Sequence, residues 1–297
     1  MGTPRSTPAP GPSSSPAPAP LSPPASAARA LRIAAVGDLH IHKTPRTPED
    51  EPRPLLAEMA RRADVLLLAG DLTGSGLPEE AARLAGEIAA ANLRIPVLAV
   101  LGNHDVHAGH AEEVRAALRS AGVRFLDEES VEVRGDGGEE GERGVGFAGV
   151  KGFGGGFGDR MLAPFGEGAM KAFATAAVSE ALALESALKS LSTPRRVVVL
   201  HYAPIPETVR GEPPEIYPFL GCSRLAEVID RFAVAAVFHG HAHHGSPRGA
   251  TPRGTPVYNV SIDLLRRVGP TPYVVVEVPL GSPDADPGGG SAETARP

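Results

Sequence analysis

The chain has 297 residues, 42 % of them hydrophobic and 22 % charged, so disorder of the whole chain is excluded even though it carries 35 Gly and 31 Pro. Residues 1–30 and 281–297 hold a large part of that Gly and Pro excess for their length and are expected to be disordered tails flanking a single domain over 31–280. A net charge of −6, with 25 of the 29 basic residues being Arg, leaves no whole-protein footprint for a phosphate backbone, so nucleic acid is not the expected partner.

From residue 31 the chain alternates short aliphatic runs with helical patterns. Runs at Leu31–Val36 and Val65–Ala69 predict strands buried on both faces. A helix follows over Pro78–Ala91, where Ala81, Leu84, Ala85 and Ile88 recur at helical spacing and Pro78 suits the first turn. Strands are then expected at Pro96–Leu101 and Val145–Val150, and a long helix over 169–191 with Ala177, Ala181, Leu184, Leu188 and Leu191 on one stripe. Val197–Leu200 predicts a strand, 223–232 a helix and Ala233–Phe238 another strand. Pro256–Val260 and Tyr273–Val278 read as two more strands with no clear helix between them, which suggests a second sheet or an antiparallel edge. The alternation predicts an α/β fold with a largely parallel sheet.

In such folds ligands bind beyond the carboxyl ends of the strands. The residues there are, in order, Gly37-Asp38-Leu39-His40, Gly70-Asp71, Gly102-Asn103-His104-Asp105, His201-Tyr202 and Gly240-His241-Ala242-His243. Each piece alone is a turn, a helix cap or a surface cluster. Five strand ends in one chain carrying metal ligands or proton carriers point instead to a shared centre. Asp38, His40, Asp71, Asn103, His201, His241 and His243 are more donors than one ion needs. A shared carboxylate holds two divalent ions about 3.5–4 Å apart in two-metal hydrolases. Imidazole and carboxylate donors without thiolate favour Mn, Fe, Zn, Co or Ni over Mg or Ca. With only Asp38 and Asp71 charged, such a centre keeps a positive surplus that attracts phosphate, acidifies a bridging water and stabilises the departing oxygen.

These five blocks resemble, in order, those of the calcineurin-like metallophosphoesterases, and the likeness covers residues 31 to about 265. It implies a four-layer α/β/β/α sandwich of two facing mixed sheets, with a dinuclear site at one edge. By motif position, Asp38, His40, Asp71 and His243 would hold the first ion, and Asp71, Asn103, His201 and His241 the second, Asp71 bridging. His104 would then be the proton donor to the leaving alkoxide. The implied reaction is attack of a metal-bridging hydroxide on a small-molecule phosphodiester or phosphomonoester, nucleotides included.

Departures from the family narrow this. Protein Ser/Thr phosphatases carry Gly-Asp-x-x-Asp-Arg-Gly, whose later Asp orients the catalytic histidine; here that position is Gly74, followed by Ser75. Purple acid phosphatases need a Tyr at the same position. Repair nucleases of the family add a capping domain, and 54 residues follow His243. A small-molecule hydrolase of the single-domain bacterial type is therefore expected. The second reading is a non-catalytic metal-binding module on the same fold, or a nuclease.

The glycine-rich segment 152–158 is either a linker or a substrate flap, with Phe153 and Phe157 offering a face to a base or apolar group. Arg210, Tyr217 and Arg224, in and after a proline-rich loop following His201, are candidates for substrate contact or for the surface. Asp136–Arg143 reads as a solvated turn. Cys222, the single cysteine, reads as a packing residue in a reducing compartment. There is no apolar run long enough for a membrane span and no secretory signal pattern, so a cytoplasmic protein is expected.

Overall fold

The computed structural model describes Gly2 and residues 30–45, 51–134 and 144–280. Both expected tails, apart from Gly2 and Ala30, lie outside the described residues, as does the turn expected at Asp136–Arg143.

In chain order the elements are β1 (Ala30–Val36), α1 (Pro52–Arg62), β2 (Val65–Ala69), α2 (Pro78–Ala91), β3 (Val97–Val100), α3 (Ala111–Ser120), β4 (Val123–Phe125), β5 (Val131–Arg134) and β6 (Gly144–Val150). They continue with α4 (Gly168–Ser190), β7 (Arg195–Leu200), α5 (Tyr217–Leu220), α6 (Ser223–Ile229), β8 (Val234–His239), β9 (Arg248–Ala250), β10 (Pro256–Asn259), α7 (Ile262–Val268) and β11 (Val274–Pro279). One sheet has the order β11-β1-β2-β3-β4 and the other β5-β6-β7-β8-β10-β9. Inside each the neighbours are parallel, and β11, β5 and β9 are antiparallel edges.

Period-two alternation builds the layers. Ala34, Val36, Leu66, Leu68 and Ala99 point outward to α1, α2 and α3. Their neighbours Ile33, Ala35, Leu67 and Val100 face Phe147, Val199 and Phe238 of the second sheet. On that sheet's far side Val198, Leu200 and Val237 meet Leu184 and Leu188 of α4 and Leu225 and Ile229 of α6. Three apolar layers between four tiers of structure make the chain an α/β/β/α sandwich. Strands buried on both faces explain the unbroken aliphatic runs.

Four helices among the described residues have no counterpart in the expected elements, one of them the single-turn α5. The stripes of α1 (Leu56, Met59) and α3 (Val114, Leu118) contain too few apolar residues to show a period. The last, α7, lies between β10 and β11, where the sequence shows no clear helix; its seven residues give less than two full turns of pattern. The last two strands also part company: β10 joins the second sheet, and β11 pairs antiparallel with β1 at the edge of the first.

Candidate metal centre

The strand-end loops are laced together by their backbones. Asp38 N–H donates to Gly70 O (3.0 Å), His40 N–H to Asp71 O (2.9 Å) and Gly37 N–H to Val260 O (2.8 Å). Four non-glycine residues here have left-handed backbones: Asp38 (φ 60°), His40 (43°), Asp71 (49°) and His241 (70°). Such conformations cost on the order of 1–3 kcal/mol each and persist only where the surroundings enforce them. Among the described residues the fifth is Asn92, which caps α2. The flanking glycines are demanded by close approach: a Cβ at Gly102 would strike the Asp71 carboxylate, and one at Gly240 the Asp38 carboxylate.

Asp105 is the buried tie between two of these loops. Its Oδ2 accepts Leu72 N–H (3.1 Å) and Gly102 N–H (2.8 Å), and its Oδ1 accepts Thr73 N–H (2.8 Å) and Thr73 Oγ1–H (2.6 Å). Burial, then the charge of Asp71, pushes the Asp105 pKa up, while these donors pull it down. Asp105 therefore supports the loop that carries Asn103 and His104 rather than orienting His104 itself. The latter's Nδ1–H faces the carbonyl of Gly74 at 2.7 Å, so a backbone oxygen stands where protein phosphatases use a carboxylate.

The ring nitrogens and carboxylate oxygens form three overlapping groups, each with all its donor atoms within 4.8 Å: Asp38, His40 and His243; His40, Asp71 and His104; Asp71, His201 and His241. His243 Nε2 lies 3.2 Å from Asp38 Oδ1 and 3.5 Å from His40 Nε2. His201 Nε2 lies 3.4 Å from Asp71 Oδ1 and 2.8 Å from Asn103 Oδ1, while its Nδ1–H donates to Ala69 O at 3.0 Å. Asp71 sits between the outer groups, and His104 Nε2 is 4.0 Å from its Oδ2. Asp38 and Asp71 are buried, whereas the His104 side chain is 45 % exposed and can meet a ligand.

Electrostatics follow from two buried carboxylates among imidazoles. Burial works against charge on His201, but Asp71, through charge and hydrogen bond, and then Asp38 outweigh it and raise its pKa to about 9. Burial is likewise overcome at His243, where Asp263 and Asp38 lift the pKa to about 10. Burial lowers His241 to about 3, the charge of His201 adding to the effect. Despite the burial of Asp38 and Asp71, their histidine partners hold both carboxylates below the usual range. Two buried anions thus recruit positive charge at the points where the nitrogen lone pairs converge, and hard-to-borderline N/O donors so arranged fit divalent cations of the Mn-to-Zn series.

The remaining candidates lie around this cluster. Phe153 packs on Phe173 (4.9 Å) and Tyr202 (5.8 Å), and Tyr202 on the ring of His241 (4.4 Å), so the glycine segment backs the cluster through aromatic contacts. That segment is tied to the proline-rich loop by Gly155 N–H to Pro218 O (2.6 Å) and Gly156 N–H to Gly221 O (2.9 Å). Phe157 and Tyr217 meet edge-to-face at 6.5 Å. Arg210 is exposed and pairs with Glu207 at 3.5 Å. Arg224 lines a cavity of about 650 Å³ against α6 and β9, which none of the clustered residues reaches. His42 lines a cavity of about 150 Å³ with Asp38, His40, Asp263 and Arg266. Cys222 is buried and packs against Met161. The Gly74 carbonyl, the Asp105 network and Asp263 have no signal in the sequence, because each acts through a contact between segments far apart in the chain.

His239, left without a role by the sequence, is a core residue. It is fully buried between Gly240 O and Thr208 Oγ1, both at 2.8 Å, and burial lowers its pKa to about 4. A folded pKa below the unfolded 6.5 means stability that is complete above pH 6.5 and lost as pH falls toward 4, by about 3 kcal/mol. The difference in melting temperature between pH 7 and pH 5 should therefore be clearly smaller in His239→Gln than in wild type. Equal pH dependence in the two proteins would show that His239 is not the group responsible.

A family model described as calcineurin-like phosphoesterase matches residues 31–245. No curated protein matches the sequence. Among solved structures the fold is similar to phosphopantetheinyl hydrolase (PptH) from Mycobacterium tuberculosis, with a TM-score of 0.59 and 17 % identity over 86 % of this chain and 98 % of that one. It is also similar to a putative 5'-nucleotidase from Staphylococcus aureus, with a TM-score of 0.50 and 14 % identity over 89 % of this chain; the match spans 56 % of that protein's length. No helix among the described residues is long and apolar enough to cross a membrane. With the family model spanning most of the sequence and its histidines and carboxylates gathered at the strand ends of a two-sheet sandwich, the chain belongs to the calcineurin-like phosphoesterase family.

Proposed function

We propose that the protein hydrolyses a small-molecule phosphate ester at a centre of two divalent ions. Residues 31–280 form the catalytic unit in this reading. Asp38, His40, Asp71 and His243 hold one ion; Asp71, Asn103, His201 and His241 hold the other. The observation that carries it is the position of Asp71, within 4.0 Å of His40, His104 and His201. When bound, the ions supply Lewis acidity toward the phosphoryl oxygens and acidify water.

The chain's own residues account for the rest. His201 is oriented by Ala69 O, which leaves Nε2 facing Asp71 and Asn103. The Gly74 carbonyl fixes the ring of His104 through Nδ1, so that in the imidazolium form the Nε2 proton is available to the departing alkoxide. Seven ligand positions with none eroded favour catalysis over a binding role.

The test is a screen with added Mn²⁺, Fe²⁺, Zn²⁺, Co²⁺ or Ni²⁺ over p-nitrophenyl phosphate, its bis ester, cyclic nucleotides, glycerophosphodiesters and a phosphopantetheine-type ester, the last prompted by the PptH fold likeness. Metal-dependent turnover is expected. His104→Ala should keep its metal and lose about 10²–10⁴-fold in kcat on alkyl esters, but much less on p-nitrophenyl esters, whose leaving group needs no proton. Absence of turnover with every ion and ester, or an alkyl-ester kcat unchanged in His104→Ala, would count against the reading.

A further inference from the structure

We propose that Asp263, on α7, is a positioning residue that aims His243 at the cluster. This rests on the two-ion reading above. His243 Nε2 faces inward, 3.2 Å from Asp38 Oδ1 and 3.5 Å from His40 Nε2. Its other nitrogen, Nδ1, lies 3.4 Å from Asp263 Oδ2. His201 and His104 turn their outer nitrogens to backbone carbonyls of Ala69 and Gly74, and His241 turns its outer nitrogen to Phe219 O. His243 turns its outer nitrogen to a carboxylate. An imidazole that donates its second N–H to a carboxylate is held in one tautomer and one orientation and becomes a more basic ligand.

The backbone explains how Asp263 comes to be there. Gly37 N–H donates to Val260 O (2.8 Å) and Ile262 N–H to Gly37 O (3.1 Å), so the residue before Asp38 is stitched to the start of α7. The connection that sets Asp38 on one side of His243 thus sets Asp263 on the other. Arg267, one turn further along α7, donates to the carbonyl of His243. Ring and backbone of His243 are both gripped by one helix, and that helix lies beyond the 31–245 span matched by the family model. The side chain of Asp263 is 47 % exposed, so its substitution leaves no buried hole.

The experiment is a Co²⁺ titration of the full-length protein, stripped of metal and followed by visible absorption, comparing wild type, Asp263→Asn, Asp263→Ala, His243→Ala and the double variant Asp263→Ala/His243→Ala. The step weakened by His243→Ala identifies the ion concerned. Asp263→Ala should weaken that step by about 10–100-fold, leave the other unchanged and alter the d–d bands of the first ion. Asp263→Asn, whose amide oxygen still accepts the Nδ1–H, should recover part of the loss. In the His243→Ala background the effect of Asp263→Ala should vanish. Unchanged binding in Asp263→Ala, equal weakening of both steps, or a loss that persists without His243 would overturn the inference. Wild type that binds no Co²⁺ would instead overturn the two-ion reading beneath it.

Discussion

Asp71→Asn is expected to lower kcat/KM of metal-dependent ester hydrolysis by roughly 10⁴-fold or more, equivalent to about 5.5 kcal/mol of transition-state stabilisation. One carboxylate does three jobs. It stands 3.4 Å from His201 and 3.8 Å from His40, which belong to opposite ends of the cluster, and its Oδ1 accepts the backbone N–H of His104 at 2.8 Å. An amide of the same shape removes the charge that draws cations to both ends and leaves one oxygen where two were used. On the two-ion reading proposed above, metal content measured on the purified variant should fall from two ions per chain toward none. His201 supplies a check independent of turnover. With its main opposing charge gone, burial dominates and in the metal-free protein the ring should titrate well below the value of about 9 that Asp71 and Asp38 sustain. A variant that keeps both ions and full turnover would show that the site is assigned wrongly.

The second large effect is on stability. Asp105→Ala strips the acceptor from Leu72 N–H, Gly102 N–H, Thr73 N–H and the Thr73 hydroxyl in a fully buried position. Leaving such donors unpaired costs about 3–5 kcal/mol, which for a chain of this size lowers the melting temperature by on the order of 10 °C. Asp105→Asn should do little better, because each carboxylate oxygen accepts two donors and an amide nitrogen facing two of them repels both. Thr73→Val, which removes the hydroxyl that also accepts Gly76 N–H at 3.2 Å, should cost less, about 1–2 kcal/mol. Thermal melts followed by circular dichroism rank the three variants. If Asp105→Asn melted within about 2 °C of wild type, the network would not be carrying the loop.

Much of the fold is legible from residue order because burial sets pattern. Strands covered on both faces must be aliphatic throughout, as Val65–Ala69 is, and α2 needs one apolar stripe, which Ala81, Leu84, Ala85 and Ile88 provide. Helices with few apolar residues or few turns leave little trace, which is why α1, α3, α5 and α7 show no period. The chemistry was legible for a similar reason: polar residues just past buried strands have no packing role, so Asp38, Asp71, His201 and His241 stand out. The partners that orient them do not stand out. Gly74 acts through a carbonyl every residue possesses, and in the sequence Asp263 is one more acidic residue between two expected strands.

Residue order alone therefore determined the α/β class and the strand ends that carry the metal-ligating residue types, because hydrophobic period and ligand chemistry are properties of side chains taken in sequence. Tertiary structure decided which nitrogen of each histidine faces inward, which groups hold those rings and which of His40, His104 and His201 lie nearest Asp71. It also decided that Asp105 supports a loop instead of orienting His104. Those outcomes depend on distances between segments far apart in the chain, set by the stacking of two sheets and by left-handed turns at Asp38, His40, Asp71 and His241 that only the assembled fold enforces.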